Sequence, residues 1–184
     1  MRGELRGQDL TASTYDSATI RYHWASAALI VALWLIGQSA GFVADGPLRN
    51  AMWSTHFTLG AVLAAVWIGG LLWRSSGGRQ LPGLGSKSAA RLTAWIHGLL
   101  YVGVGAVIAL GILAACARGA VVWGFFHYPK LTGDDISAPL TTAHGVAADL
   151  LLGLALAHTL LAVARHFRAR DGVLARMWPG LARR

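Results

Sequence analysis

Residues 140–164, LTTAHGVAADLLLGLALAHTLLAVA, indicate what kind of fold this chain adopts. A helix needs ~20 residues to cross a bilayer core of about 30 Å, and this stretch is long and apolar enough to do so. Its two histidines, His144 and His158, are 14 residues apart. On a helix that spacing is roughly 21 Å along the axis and about 40° around it. The two side chains are therefore predicted to face nearly the same way at two different membrane depths.

Three further stretches have a similar length and apolar character, at about residues 22–44, 53–73 and 92–117. Each is predicted to be helical, because a lone spanning segment must satisfy its backbone hydrogen bonds internally and none alternates polar with apolar residues. Of the 184 residues, 55% are hydrophobic and 13% charged, whereas soluble domains average about 25% charged. The chain is therefore predicted to be an all-α membrane protein, a bundle of four transmembrane helices that includes residues 140–164.

The formal net charge of +8 is explained by membrane topology. Thirteen of the 16 Lys and Arg residues lie before residue 22, between residues 73 and 92, or after residue 164, which is outside the first span, between the second and third spans, and after the fourth. Cytoplasmic loops are rich in Lys and Arg, so both termini are predicted to be cytoplasmic. The basic residues do not spread along one face, so no nucleic-acid partner is expected. The first 20 residues have no apolar core, which predicts that they are not a secretory signal.

One domain is expected, at residues 21–180, between a cytoplasmic N-terminal segment (1–20) and a basic tail (181–184). The connection at 75–91, SSGGRQLPGLGSKSAAR, is rich in Gly and Ser and is predicted to be flexible. The outer connection at 118–139 contains VVWGFFHYP (121–129). Its aromatic residues are predicted to lie at the membrane interface as a cap over the bundle.

Seven histidines in so apolar a chain are the main functional signal, because an ionisable residue within a span is costly and points to a functional site. The predicted topology puts His56 at the same outer depth as His144, and His23 at the same cytoplasmic depth as His158. Two imidazoles that face each other across a bundle core suit a b-type haem. The single Cys116 excludes the C-x-x-C-H signature of covalent attachment, so two non-covalent haems are predicted.

Other uses of these histidines stay open. Each could bond a backbone carbonyl or reach the interface, and for His97, His127 and His166 this interpretation is at least as good as a functional one. A zinc or copper site is an alternative, although two residues per depth are too few for a closed tetrahedral zinc site. Glycines near the histidines, among them Gly37 and Gly111, would let a flat macrocycle approach, but they also serve ordinary helix packing. A haem-free transporter or interaction protein is the alternative from another class.

Asp149 is the only acidic residue well inside a span. It follows His144 by five residues and is rotated from it by about 140°, so the two should not share a face. One hypothesis is a proton-handling group or a hydrogen-bond partner for a cofactor or another helix. The other is a protonated or paired acid that helps the bundle to associate.

Several segments carry a resemblance to one family. They are Arg21-Tyr22-His23-Trp24, His56 with Gly60, Leu72-Trp73-Arg74, His97 followed by Tyr101, Trp123-Gly124-Phe125-Phe126, Arg165-His166-Phe167 and the tail RDGVLARMWPG (170–180). Together they resemble the bacterial cytochrome b561 family, compact four-helix di-haem cytochromes of the inner membrane that are related to hydrogenase cytochrome b subunits. The resemblance covers about residues 21–180 and implies axial haem ligation by His23 with His158 and by His56 with His144. The third span lacks the proline that is common among relatives.

Iron with two histidine ligands has no open coordination position, so it passes electrons rather than activating oxygen. The resemblance implies transmembrane electron transfer with quinone as a partner. The family includes superoxide oxidases, so the most concrete expectation is oxidation of superoxide at the outer face coupled to ubiquinone reduction. The alternative is a subunit that passes electrons between a partner redox protein and quinone. His97, Arg74 and Arg91, at the cytoplasmic end, are candidate contacts for quinone or haem propionates, although the arginines also fit the topology.

Overall fold

A computed structural model describes residues 14–131, 134–168, 171–178 and 180. Its four long helices are α1 (Ser17–Ala40), α2 (Pro47–Ser76), α3 (Lys87–Arg118) and α4 (Ser137–Arg168). All four are long and apolar enough to cross a membrane. A short helix, α5 (Val173–Met177), follows α4. The predicted four-helix membrane fold is confirmed.

The helices begin and end away from the predicted span limits. Helix α1 ends at Ala40, so residues 41–44, for which the hydropathy pattern predicts helix, lie outside it. The backbone N–H of Phe42 instead bonds to the carbonyl of Ser39 in a turn. Helix α1 also starts at Ser17, inside the expected N-terminal segment, because the Asp16 carboxylate caps it by accepting the N–H of Thr19. Residues 1–13 and 181–184 lie outside the described part of the chain.

The other three helices extend beyond both predicted limits, since hydropathy detects only the apolar middle of a helix. Helix α1 packs mainly on α2, and α3 mainly on α4. The Tyr15 backbone N–H donates to the carbonyl of Arg176, and the Arg176 guanidinium donates to the carbonyl of Pro82. Residues 14–16, 77–86 and α5 therefore lie at one end of the bundle, called the termini end. The segments 41–46, 119–131 and 134–136 lie at the other, called the hairpin end.

The hairpin end contains a two-stranded β-hairpin, which is the only β-structure among the described residues. Strand β1 (Val121–Val122) pairs antiparallel with β2 (Phe126–His127). A turn of 3-10 helix (Asp134–Ile136) then leads into α4. The predicted aromatic segment is thus a small β-hairpin at the mouth of the bundle.

The buried core is a single apolar layer with one residue from each long helix: Leu33, Leu63, Val104 and Leu151. Leu151 is seven residues from both His144 and His158. Seven residues correspond to about 10 Å along a helix. The layer therefore lies midway between the two histidine depths of α4.

The connection between α2 and α3 is irregular but anchored, which its composition did not predict. The Asp16 carboxylate accepts the backbone N–H of Arg79 at 3.0 Å and the indole N–H of Trp73 at 2.9 Å. The guanidinium of Arg176 donates to the carbonyl of Pro82 at 2.8 Å. Side chains from both ends of the chain hold a segment that was expected to be a flexible connector.

Candidate functional site

His56 of α2 and His144 of α4 lie together towards the hairpin end. Their ring centres are 6.1 Å apart. Because α1 packs on α2 and α3 on α4, α2 and α4 are across the bundle from each other and the two rings meet inside it. Metal–imidazole nitrogen bonds of about 2.0–2.1 Å put the centres of two rings on opposite sides of one metal roughly 6 Å apart. This spacing would allow both rings to hold one metal.

The hydrogen bonding of these rings also fits metal ligation. Nδ1 of His144 lies 3.0 Å from the carbonyl oxygen of Val107, which leaves Nε2 for a ligand. A backbone carbonyl that fixes one ring nitrogen is typical of metal-binding histidines. Nδ1 of His56 is buried with no hydrogen-bond partner among the described residues. Buried polar atoms are rarely left unpaired, so Nδ1 is open to a further partner, while the ring also interacts with the backbone of Leu33.

Glycines on neighbouring helices give both rings their space. A Cβ atom at Gly37 of α1 would lie 3.4 Å from Cε1 of His56. A Cβ atom at Gly111 of α3 would lie 3.0 Å from Cε1 of His144. Both positions are among the small residues that the sequence places near the histidines. Their contacts indicate a direct role in accommodating the two rings.

A second histidine group lies towards the termini end. The ring centres of His97 and His158 are 5.0 Å apart. His23 lies within electrostatic range of His158, and its ring centre is 5.4 Å from that of Trp24, with the two ring planes nearly perpendicular. His23 and His158 therefore lie at the same end of the bundle, and their pairing as ligands stays a prediction. His97 joins them as a third histidine and makes the closest ring contact of the group.

Of the two arginines predicted near this end, Arg74 lies close to the histidine group. Its guanidinium is 6.0 Å from the ring centre of Tyr101, and it is within electrostatic range of His97. Arg91 instead lines an open groove of about 230 Å³ on α3, together with Trp95 and Gly98. The structure thus brings two of the three candidate contacts, His97 and Arg74, towards the group.

Asp149 joins α4 to α1. Its Oδ1 accepts the indole N–H of Trp34 at 2.8 Å and the amide N–H of Gln38 at 3.0 Å. Interhelical hydrogen bonds of this kind help transmembrane helices to associate. The contacts match the hypothesis of a paired acid that supports the bundle.

The hairpin is held on α2 through Trp123, a contact that the sequence did not predict. The backbone N–H of Trp123 donates to the buried Ser54 hydroxyl at 3.0 Å, and its indole N–H donates to the Thr58 hydroxyl at 3.1 Å. Trp123 has a φ of 55°, a conformation that bulky residues rarely adopt. Two hydrogen bonds to one helix face hold this backbone, so the aromatic segment is a fixed cap on α2.

The donor set suits a planar metal cofactor better than a bare ion. Within the described ranges, no three His, Cys, Asp or Glu side chains are grouped so that they could hold a metal ion. A haem macrocycle supplies the equatorial ligands itself and needs only axial ones from the protein. The His56–His144 pair, with its spacing, its unpaired nitrogen and its glycine contacts, fits that requirement.

A family model described as prokaryotic cytochrome b561 matches residues 14–180. This range contains all four long helices and every histidine of the chain. No curated protein sequence matches the chain.

Proposed function

Because the chain belongs to the prokaryotic cytochrome b561 family, which binds b-type haem and transfers electrons across membranes, we propose that it holds two non-covalent b haems, one at each histidine group. His56 and His144 are the proposed axial ligands towards the hairpin end. His23 and His158 are the proposed ligands towards the termini end. When bound, haem supplies one-electron redox chemistry.

The observation that carries this proposal is the apolar layer between the two histidine groups. The side chains of this layer pack together at the middle of the bundle: Leu33, Leu63, Val104 and Leu151. These four side chains are between 4% and 8% exposed, so the middle of the bundle is apolar. The layer lies between His144 and His158, which the rise of one helix separates by roughly 21 Å, and this supports one redox centre towards each face of the membrane.

The proposed orientation puts the termini end in the cytoplasm of a bacterium and the hairpin end outside the inner membrane. Lys and Arg concentrate towards the termini end, as expected of the cytoplasmic side. At the hairpin end Arg49 forms an ion pair with Asp45. Arg118 has no carboxylate partner among the described residues, so its positive charge is available to attract an anion from outside.

The proposed reaction is superoxide oxidation at the hairpin end coupled to ubiquinone reduction. Two superoxide anions are oxidised to dioxygen, and one ubiquinone takes up two electrons and two protons to become ubiquinol. His97 and Arg74, which lie towards the termini-end group, are proposed to donate hydrogen bonds to a quinone carbonyl or a haem propionate. Arg91, in its groove on α3, is proposed as a further contact from the lipid side.

The first test is the absorption spectrum of the purified protein together with its pyridine-haemochrome stoichiometry. We expect a low-spin b-type spectrum and two haems per chain. A colourless protein would overturn the proposal and favour the haem-free transporter. Superoxide-driven ubiquinone reduction in proteoliposomes then tests the specific reaction. Its absence from a protein that holds both haems would point to a partner redox protein as the donor.

A second test concerns the termini-end ligands, because His97 lies closer to His158 than the sequence suggested. We expect His158→Ala to lower the haem content from two to one per chain. We expect His97→Ala to keep both haems while it weakens quinone reduction. If His97→Ala lost a haem and His23→Ala did not, the ligand assignment at this end would be wrong.

A further inference from the structure

A cavity of about 580 Å³ lies at the hairpin end, between the start of α2, the end of α3 and the hairpin. The side chains that give it chemical character are Asn50, Trp53, Phe57, Arg118 and Trp123. Ligand pockets for small organic molecules commonly have volumes of about 300–1,000 Å³. The cavity has room for a ring-sized molecule, far more than a two-atom anion needs.

Arg118 gives the cavity its charge. It lies in the last turn of α3, and among the described residues no carboxylate pairs with it. An arginine without an acidic partner presents a planar fork of N–H donors that matches a carboxylate. Asn50 adds an amide that can donate or accept a hydrogen bond. The polar part of the cavity therefore favours a ligand that carries one negative charge.

The aromatic walls favour a flat ligand. Trp53, Phe57 and Trp123 all line the cavity. Aromatic side chains stack on or meet the edges of planar rings. The Trp123 wall is fixed, because hydrogen bonds to Ser54 and Thr58 hold its backbone and its indole ring. A rigid wall of this kind lowers the entropic cost of ligand binding.

The cavity also lies next to the hairpin-end histidines. The His56 ring contacts Trp53 at 5.7 Å and Phe57 at 6.3 Å, centre to centre. Arg118 is within electrostatic range of both His56 and His144. A ligand in the cavity would therefore be separated from His56 by a single layer of aromatic side chains.

From these observations we propose that the hairpin-end cavity binds a planar organic anion, of the size of an aromatic carboxylate, between Arg118 and the aromatic walls. This site goes beyond the proposed function, whose outer substrate is a much smaller anion. A ligand held there would lie beside Trp53 and Phe57, the aromatic residues that contact His56. It would also lie in the path of any anion that approaches His56 from the hairpin end.

The proposal is tested by calorimetric titration of 2-naphthoate into the haem-loaded protein in nanodiscs, with empty nanodiscs as the blank. We expect one saturable site per chain. The neutral 2-naphthamide has the same ring and should bind at least about tenfold more weakly, because it cannot form a charged pair with Arg118. Equal binding of the two compounds, or no saturable binding of 2-naphthoate, would overturn the proposal.

Two variants locate the site. Arg118→Gln should weaken 2-naphthoate binding by about tenfold or more, and Arg118→Lys should fall between Arg118→Gln and the unaltered protein, because it keeps the charge but loses the planar fork. Arg49→Gln is the matched control, since Arg49 lies at the same end but is paired with Asp45. Haem content measured in every variant reports correct folding. Unchanged affinity in a folded Arg118→Gln protein would contradict the assignment.

Superoxide-driven ubiquinone reduction, measured in the same preparations without 2-naphthoate, separates this inference from the proposed function. If superoxide is oxidised but 2-naphthoate does not bind, only the cavity assignment fails. If 2-naphthoate binds through Arg118 and superoxide is not oxidised, only the proposed reaction fails.

Discussion

His144 is fixed on two sides of its ring. The Val107 carbonyl holds Nδ1, and the backbone of Gly111 lies against Cε1, where a Cβ atom would approach to 3.0 Å. Such an approach is closer than carbon atoms in contact normally come, which is about 3.5–4.0 Å. The absence of a side chain at position 111 therefore determines where the His144 ring can lie.

This contact predicts that Gly111→Ala displaces His144 and lowers the haem content from two towards one per chain. Gly145→Ala is the matched control, because nothing lies within 4 Å of a Cβ atom there. In a helix, alanine is favoured over glycine by about 1 kcal/mol, so loss of helix propensity would not explain a defect in Gly111→Ala. Pyridine-haemochrome assays of both variants measure the outcome. Two haems in Gly111→Ala would show that His144 can bind from another position.

Single residues differ in how far their surroundings can be predicted from the sequence. The spacing of His144 and His158 predicts two depths, because the rise of a helix is fixed. The neighbour of His158 depends instead on how α3 is rotated about its axis. Helix α3 is apolar on nearly all sides, so no periodicity sets its rotation. The contact of His97 with His158 could be found only in the structure.

Among the elements, α1 and α4 meet along a seam with a polar group in its middle. Asp149 of α4 bonds to Trp34 and Gln38 of α1 through the same oxygen. Contacts between these two helices are sparse compared with those between α1 and α2. The two hydrogen bonds to the Asp149 carboxyl group are therefore a large part of the interactions that hold α1 against α4.

Replacing Asp149 should change stability in proportion to the hydrogen bonds that are lost. Asp149→Asn keeps an acceptor oxygen and should stay close to the unaltered protein. Asp149→Leu loses both bonds and should lower the free energy of unfolding by roughly 1 kcal/mol, at about 0.6 kcal/mol for each interhelical bond. Unfolding in mixed micelles measures the difference, with Leu150→Ala at the adjacent exposed position as control. If Asp149→Asn left stability intact but altered haem redox behaviour, a proton-handling role would regain support.

The sequence predicts that the four long helices exist, but it does not predict where each of them ends. Hydropathy located all four spans, because a run of about 20 apolar residues is long enough to cross a bilayer and is uncommon in soluble helices. It misplaced the end of α1, because residues 41–44 are still apolar enough to extend the pattern. The Gly- and Ser-rich composition of residues 77–86 did not predict that this segment is anchored, because Gly and Ser indicate only that a backbone is free to bend. The carbonyl of Pro82 is held by Arg176, far away in the sequence.

Across the whole molecule, Asp16 ties together three parts of the termini end. Burial raises the pKa of its carboxyl group, but the hydrogen bonds from Thr19, Arg79 and Trp73 outweigh burial and hold the pKa well below its usual range. A carboxyl group whose pKa is lower in the folded state stabilises that state above the unfolded pKa of about 3.9. The stabilisation is lost as the pH falls through the folded pKa.

We therefore expect the melting temperature of the unaltered protein to fall between about pH 4 and pH 2, and to fall less in Asp16→Asn. Asparagine is also a good N-cap residue, so this variant isolates the effect of the charge. Asp16→Ala removes the cap as well and should cost about 1 kcal/mol more at neutral pH. Parallel acid melting curves for the unaltered protein and Asp16→Asn would show that the charge of Asp16 does not stabilise the fold.

Helix α4 supplies one histidine to each group, with Leu151 midway between them. A slide or turn of α4 that brings His144 into place also moves His158, because both belong to the same rigid rod. Under the proposed ligation, uptake of the first haem would set the register of α4 and remove part of the ordering cost of the second. Assembly of the two centres is then cooperative, so a variant that has lost one centre should hold its remaining haem less tightly than the unaltered protein does.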